Sequence, residues 1–342
     1  MFKWTQGMGR GQRVIVFVLL MVGGLLLIGA LTVGLILLSV NTTPRSVAIA
    51  LRPEVTVSQF AALPDDDAYP ATVTVAPDGT VYTGSYMSGT VWAITPDGAL
   101  SELPNTRETI ASVTGLAIAT DGALLILARQ DSNPRSAGGL IYRWQDGDLT
   151  EFAQMDDARG MVAPADLAVD AAGRIYAVDR GRREVWRWEA DGTGGTLWWT
   201  PNSTSPTGLP TGIAYDAAND TLLVTDTDDN TITRIPVADS SAAEVIYRYT
   251  LEANKPALDG IAVGADGTLY VTALDQNGLA RIKDNDLIYL VGTFRGASDV
   301  AIAPDGRLYV TNFDSAALVV PGVAPQLPFG IDVVRLGTLA QP

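Results

Sequence analysis

The sequence has 342 residues and a formal net charge of −15, and it contains neither cysteine nor histidine. Without cysteine there are no disulfides, thiolate nucleophiles or cysteine-ligated metals, and without histidine there is no Ser-His-Asp triad and no imidazole metal site. Catalysis is left to carboxylates, lysine, tyrosine or an oxygen-ligated cation such as Ca²⁺ or Mg²⁺. So acidic a surface repels phosphate backbones, and no nucleic-acid partner is expected.

The first predicted element is a transmembrane helix. Val14–Val40 is a run of 27 residues without a charge, and as a helix it is about 40 Å long, more than the ~30 Å hydrocarbon core. Lys3, Arg10 and Arg13 precede it, and the positive-inside rule then places the N-terminus in the cytoplasm. A cleaved signal peptide is the alternative, although the apolar core of a signal peptide is typically about 7–15 residues.

A repeated pattern fills the rest of the chain: an apolar strand, a turn of the Asp-Gly type and a second strand resembling Leu-Tyr-Val-Thr. The copies begin 43, 51, 46, 48 and 39 residues apart, which is the period of a four-stranded propeller blade. We therefore predict an all-β fold, a six-bladed β-propeller preceded by one N-terminal transmembrane α-helix. The first residues of the six copies are Ala71, Thr114, Ala165, Thr211, Asp259 and Ser298.

The sixth repeat is interrupted. After its second strand the chain runs through the proline-rich stretch Phe313–Phe329, here called the sixth-blade insertion, before GIDVVRL supplies a third strand. No fourth strand follows, but EVTVSQFAALP, ahead of the first repeat, fits the fourth-strand pattern. We predict that Val55–Ala61 completes the sixth blade and closes the ring, which removes its open edges.

These patterns divide the chain into four parts. We predict a basic cytoplasmic tail over residues 1–13, the transmembrane helix over 14–40, a linker over 41–53 and the propeller over 54–342. The protein is then a single-pass protein of the cell membrane with an extracytoplasmic propeller.

The first strand of each blade starts beside the central channel, on what we call the top face. We call the six starting residues the channel-mouth positions. Asp259 is the one carboxylate among them, and we predict that it is functional, with Thr114, Thr211 and Ser298 lining a polar pocket around it. The alternative is that Asp259 only caps a turn. The sixth-blade insertion rises from the same face, either as a lid or as a plain connection.

The loops between the second and third strands also return to the top face, and many of their residues are charged. Asp228, Asp229 and Asn230 resemble a cation-binding loop but lack the spacing of a Ca²⁺ hand, so we interpret them as a solvated turn. The loop residues noted at this face are Tyr86, Arg129, Asp131, Asp179, Arg180, Asp226, Asp228, Asp229, Asp275 and Asp314.

The stretch Leu258–Val271, LDGIAVGADGTLYV, resembles the gluconolactonase/regucalcin (senescence marker protein) family and, more distantly, strictosidine synthase-like and NHL-repeat propellers. The resemblance extends from about residue 55 to the end of the chain. It implies a lactone or ester hydrolase with a divalent cation at the channel mouth. Asp259 matches one of the family's four cation ligands, and Asp166 matches an acidic residue near the substrate.

The match to the cation site is partial. Ala71 stands where the family has a Glu ligand, and Ala165 and Thr211 stand where it has two Asn ligands. The resemblance therefore implies Ca²⁺ or Mg²⁺ at Asp259, through a ligand set poor for a cation that takes six to eight oxygens. Asp259 and Asp166 are the candidate catalytic carboxylates. The alternative function is a non-catalytic propeller that binds a small molecule or a protein at its top face.

Overall fold

The computed structural model of the chain describes residues 7, 9–43, 45–201 and 208–337. Helix α1, Arg10–Thr42, contains the whole predicted span and is long and apolar enough to cross a membrane, a test that signal sequences also pass. The chain divides into two compact units, one with α1 and Ala316–Pro325 and the other with the propeller.

The propeller has the six four-stranded antiparallel blades that the repeat predicts, so the predicted fold class is confirmed. Five blades follow one another along the chain, and the sixth uses both ends of the propeller. Strands β1 Ile49–Ala50 and β2 Val55–Ala62 come first. Blade 1 has β3 Pro70–Val75, β4 Val81–Ser85, β5 Val91–Ile94 and β6 Leu100–Glu102; blade 2 has β7 Ser112–Ile118, β8 Leu124–Arg129, β9 Gly139–Gln145 and β10 Asp148–Ala153; blade 3 has β11 Pro164–Val169, β12 Ile175–Asp179, β13 Glu184–Trp188 and β14 Thr196–Trp199.

The remaining blades repeat this arrangement, and short helices lie in some of the connections. Blade 4 has β15 Pro210–Asp216, β16 Thr221–Asp226, β17 Thr231–Pro236 and β18 Glu244–Arg248; blade 5 has β19 Leu258–Val263, β20 Leu269–Ala273, β21 Gly278–Lys283 and β22 Asp286–Gly292; blade 6 has β23 Val300–Ile302, β24 Leu308–Thr311 and β25 Gly330–Leu336. The connections contain α2 Thr106–Thr109, α3 Ser315–Val319 and 3₁₀ turns at Ser240–Ala242 and Leu274–Gln276.

The ring closes as predicted, through a strand from the start of the propeller. Strand β2 pairs antiparallel with β25, in a register that runs from Val55 opposite Leu336 to Ala62 opposite Gly330. The sheet order is β2-β25-β24-β23, so β2 is the outer strand of blade 6. The first and last strands of the propeller therefore depend on each other, and the predicted closure is confirmed.

Two residues inside the predicted linker also join the propeller. Ile49 lies opposite Gly292 and Ala50 opposite Val291, so β1 adds a fifth strand to the outer edge of blade 5. The Thr293 hydroxyl donates a 2.6 Å hydrogen bond to the carbonyl of Val47 just before this strand. The chain is thus attached to blade 5 before it enters blade 6.

Apolar side chains on alternate strand positions pack between neighbouring blades. Each of the six blade interfaces has its own buried cluster, and the cluster between blades 6 and 1 joins Ile331 and Val333 of β25 to Val73 and Val81. Sheets that bury both faces in this way leave the starts of the first strands to line the channel.

Candidate functional site

A cavity of about 310 Å³ lies at the top of the channel, where the first strands of the six blades converge. Residues at all six channel-mouth positions line it. The predicted pocket residues Thr114, Thr211 and Ser298 lie around the same cavity as Asp259. The cavity is also lined by Tyr86, Arg180 and Phe313 from loops of the top face, by Arg129 at the end of β8, by Asp166 of β11 and by Asp299 just before β23.

The residue that follows each channel-mouth position decides how closely the next blade approaches. In blades 2, 4 and 5 it is Gly115, Gly212 or Gly260, and a β-carbon there would lie 3.0 Å or less from atoms of the following blade. In blades 3 and 6 it is Asp166 or Asp299, whose side chain reaches to the following blade instead. Each of these carboxylates therefore links its own blade to the next one. Blades 3 and 6 lie on opposite sides of the channel.

Asp299 links blade 6 to blade 1. Its Oδ2 accepts hydrogen bonds from the Thr72 hydroxyl at 3.0 Å and from the backbone N–H of Val73 at 2.8 Å. Its Oδ1 accepts from the N–H of Val300 at 2.8 Å. Sequence reasoning missed this carboxylate, although Asp299 occupies the same place in its repeat as Asp166 does.

Asp166 makes the equivalent link from blade 3 to blade 4. Its Oδ1 accepts from the N–H of Leu167 at 2.8 Å, and its Oδ2 accepts from the N–H of Ile213 at 2.9 Å. Each carboxylate oxygen of Asp166 therefore already has a backbone donor. The side chain nevertheless lines the cavity, so its predicted catalytic role stays a prediction.

Asp259 differs from these two carboxylates. In the described part of the chain its carboxylate interacts with the hydroxyl of Thr211 and with the positive charge of Arg180. The link to the neighbouring blade is made by its backbone: the carbonyl of Asp259 accepts a hydrogen bond from the Thr225 hydroxyl of blade 4 at 2.5 Å. An ionised carboxylate can accept about four hydrogen bonds, so Asp259 keeps most of its capacity for a ligand.

The three carboxylates share one low-dielectric site, and this raises their pKa values. Burial raises the pKa of Asp259 to about 6 against the opposing effects of Arg180 and Thr211. Burial raises the pKa of Asp299 to about 7, and the charge of Asp259 adds to the rise. The pKa of Asp166 lies well above its ordinary value because of burial and the nearby charges of Asp299 and Asp259. The pKa values of Asp259 and Asp299 therefore both lie close to neutral pH.

One side of the cavity is aromatic and the other carries cations. Phe313, the first residue of the sixth-blade insertion, packs edge to face against Tyr86 with ring centroids 5.6 Å apart. The guanidinium of Arg129 is held by backbone carbonyls, the shortest contact being 2.9 Å to Ser136. Arg180 is exposed at the rim, so its charge can be reached by a ligand.

The residues at the channel mouth do not form the cation site of the resembled family. Among the described residues no group of three or more aspartates and glutamates is placed to hold a metal ion. Both oxygens of Asp166 and of Asp299 are already bonded to N–H groups, and Ala71 and Ala165 offer no side-chain oxygen. The Ca²⁺ or Mg²⁺ predicted at Asp259 stays a prediction.

The acidic loop of blade 4 forms a turn. Oδ1 of Asp226 accepts hydrogen bonds from the N–H groups of Asp228 at 3.1 Å and Asp229 at 2.8 Å. The side-chain amide of Asn230 donates to the carbonyls of Thr227 and Asp228. A similar hydrogen bond occurs in blade 3, where Oδ1 of Asp179 accepts from the N–H of Arg182 in its own loop. This geometry agrees with the interpretation of the run as a turn.

The fold and the cavity together define a class: a six-bladed propeller with carboxylates and hydroxyls converging at the mouth of its channel. A sequence model described as "SMP-30/Gluconolactonase/LRE-like region" matches residues 105–311. The chain belongs to this family, and the resemblance read from Leu258–Val271 is confirmed. The more distant resemblance to strictosidine synthase-like and NHL-repeat propellers stays a prediction.

Several solved structures share the fold. A gluconolactonase from Xanthomonas campestris is 18% identical with a TM-score of 0.60, and the match covers 86% of this chain and 99% of that one. A streptogramin B lyase is 18% identical at a TM-score of 0.57 (83% and 98% covered), and virginiamycin B lyase from Staphylococcus aureus is 19% identical at 0.54 (76% and 82% covered). At these identities the similarity shows the fold alone. No curated protein is similar enough in sequence to match the chain.

Proposed function

We propose that this protein is a membrane-anchored, extracytoplasmic propeller that binds a small hydroxylated molecule in its channel-mouth cavity. The observation that carries the proposal is the carboxylate of Asp259, which lines the cavity and, among residues 9–43, 45–201 and 208–337, interacts favourably only with the Thr211 hydroxyl and the charge of Arg180. The hydroxyls of Thr114, Thr211 and Ser298 stand around it. A cavity of about 310 Å³ has the size of a small-molecule site.

The electrostatics favour a ligand that donates hydrogen bonds. Moving a carboxylate out of water is unfavourable, because its hydration free energy is lost, unless hydrogen-bond donors or a cation replace the water. Asp166 and Asp299 receive such donors from the backbone, whereas Asp259 has one hydroxyl and a nearby charge. A polyol or sugar-derived lactone would supply the missing donors, and the aromatic side of Tyr86 and Phe313 would pack against its carbon skeleton.

A second candidate function is the hydrolysis of a lactone or a related small ester. It is favoured by the position of Asp259, whose pKa of about 6 suits a general base, close to the charge of Arg180. Asp259 would take a proton from water as the water oxygen bonds to the carbonyl carbon, and Arg180 would stabilise the resulting oxyanion. As the ring C–O bond breaks, protonated Asp166 would give its proton to the leaving alkoxide.

The variant Asp259→Asn tests the site. We expect it to weaken binding about tenfold or more, because a charged acceptor is replaced by a neutral amide. Calorimetric titration of the full-length chain with gluconolactone, Ca²⁺ and Mg²⁺ measures this, and a pH-stat assay measures hydrolysis. Since deprotonated Asp259 is the base, any hydrolysis should rise as the pH increases through about 6. Asp148→Asn, at an exposed strand position, is the matched control.

The results separate the alternatives. Equal binding by the parent and Asp259→Asn would mean that Asp259 is a turn residue and would remove the support for both functions. Lactone binding without turnover would favour the binding protein over the hydrolase. Cation binding that is lost in Asp259→Asn would support the predicted Ca²⁺ or Mg²⁺ site. A top face that takes up neither lactone nor cation would leave a protein-binding scaffold as the remaining alternative.

The proposed anchor has its own test. We expect a reporter fused after Pro342 to score as extracytoplasmic, and protease added outside spheroplasts to digest the propeller, because Lys3, Arg10 and Arg13 precede the apolar run Val14–Val40. A cytoplasmic score would reverse the orientation. The mass of the membrane-extracted protein distinguishes an intact anchor from a cleaved signal sequence, since cleavage would remove the mass of α1.

A further inference from the structure

The tip of the sixth-blade insertion, Ala316–Pro325, differs in character from the rest of the chain. It carries no charged residue in a protein of net charge −15. Its apolar side chains are not buried: Val319 is 71% exposed and Val320 is 45% exposed. Exposed apolar side chains gathered in one uncharged segment indicate a surface that is covered in the working protein.

The tip is held against the C-terminal end of α1. The side-chain amide of Asn41 donates a 2.8 Å hydrogen bond to the carbonyl of Gly322, and its side-chain oxygen accepts a 2.9 Å hydrogen bond from the N–H of Ala324. Gly322 has a φ of +85° and packs over Leu37, whose Cδ1 would lie 3.1 Å from an added β-carbon. Three contacts thus attach the tip to the last two turns of the helix.

The position of these contacts along α1 identifies what covers the tip. Asn41 directly follows Val40, the last residue of the predicted membrane span, and begins the polar stretch Asn41-Thr42-Thr43. If α1 spans the bilayer, Asn41 lies where the helix leaves the hydrocarbon core, and Leu37 lies about one turn deeper. The tip attached to these residues therefore lies at the same depth, among the lipid headgroups and the first acyl carbons.

We infer that the tip of the sixth-blade insertion is a second membrane contact, with Val319 and Val320 inserted into the bilayer interface beside α1. This inference rests on the proposed anchoring of α1. The tip then contacts lipid, and the insertion is neither a lid nor a plain connection. The chain turns back at Gln326, whose N–H donates to the carboxylate of Asp314 at 2.6 Å, so the loop is pinned at its base on the propeller side.

The absence of cysteine makes the test direct. Three full-length variants, Val319→Cys, Val245→Cys and Leu31→Cys, each provide one thiol for an environment-sensitive fluorophore. Val245 is the matched control, an outer-strand propeller valine that is 51% exposed. Leu31 lies within α1 and reports whether the helix spans. The variants are placed in phosphatidylcholine–phosphatidylglycerol vesicles that contain lipids spin-labelled near the headgroup or at the end of the acyl chain.

We expect the headgroup-proximal label to quench the probe at position 319 roughly threefold more than the probe at 245, as for side chains buried in the interface. Position 31 should respond most to the deep label. Strong quenching at 31 with equal, weak quenching at 319 and 245 would overturn the inference and leave the anchor intact. Weak quenching at all three positions would overturn the inference together with the anchor on which it rests.

Discussion

A chain that begins at Ala71 is expected to lose most of the stability of the propeller, because it lacks β2. That strand pairs along its whole length with β25 and completes blade 6. Its removal uncovers Ile331 and Val333, and it removes the Phe60 ring, which packs 4.8 Å from Tyr309. We expect a loss of about 5 kcal/mol or more, comparable with the whole stability of many domains.

Urea unfolding followed by tryptophan fluorescence measures this loss. The matched control begins at Ser46 and keeps β1 and β2 while it lacks α1, so it separates the closing strand from the anchor. The chain from Ala71 should also aggregate, because β25 becomes an open edge. Equal unfolding midpoints for the two chains would show that the ring does not depend on the N-terminal strand.

The blade number, the closing strand and the third strand of blade 6 were all predictable from the sequence. Each depends on a local pattern: an apolar strand, an Asp-Gly turn and a fixed period. The turns behave as their residues require, since Gly79 adopts a φ of +87° and Asp78 accepts the N–H of Thr80. In blade 4 the chain has Asn219-Asp220 instead, and Asp220 itself adopts a φ of +50°.

The cavity was only partly predictable. The six channel-mouth positions follow from the repeat, so Thr114, Thr211 and Ser298 could be placed around Asp259 from the sequence. Asp299 was missed although it follows a channel-mouth position as Asp166 does, and only its hydrogen bonds to Thr72 and Val73 depend on the distance between blades 6 and 1. The effect of Arg180 on the pKa of Asp259 likewise depends on a distance between blades. Short patterns do not contain such distances.

The association of the insertion tip with α1 lies beyond sequence reasoning for the same reason. Asn41 and Gly322 are 281 positions apart, and no repeat or motif relates them. The sequence showed a proline-rich stretch of unusual length, which suggested either a lid over the channel or a plain connection. The structure instead joins its middle to the end of the apolar helix. This long-range contact is the observation on which the inferred membrane contact of the tip rests.

The glycines beside the channel provide the second large effect, and Gly260→Ala is its clearest case. A β-carbon at position 260 would lie 2.5 Å from both Cα and Oδ1 of Asp299 and 2.8 Å from the carbonyl of Ser298. Backbone atoms cannot turn aside as a side chain can, and the N–H of Gly260 is itself bonded to that carbonyl at 3.0 Å. Blades 5 and 6 must therefore separate to accept one methyl group.

We expect Gly260→Ala to lower the free energy of unfolding by about 3 kcal/mol, the upper part of the usual range for overpacking. Gly292→Ala in the same blade is the matched control, because the atoms nearest to its β-carbon would be those of the Leu51 side chain, at an ordinary 3.4 Å or more. Urea unfolding of both variants measures the difference. Similar stabilities would show that the blade interface yields easily. A large loss for Gly260→Ala alone would show that Gly260 sets the distance between blades 5 and 6, the role that Gly115 and Gly212 occupy in blades 2 and 4.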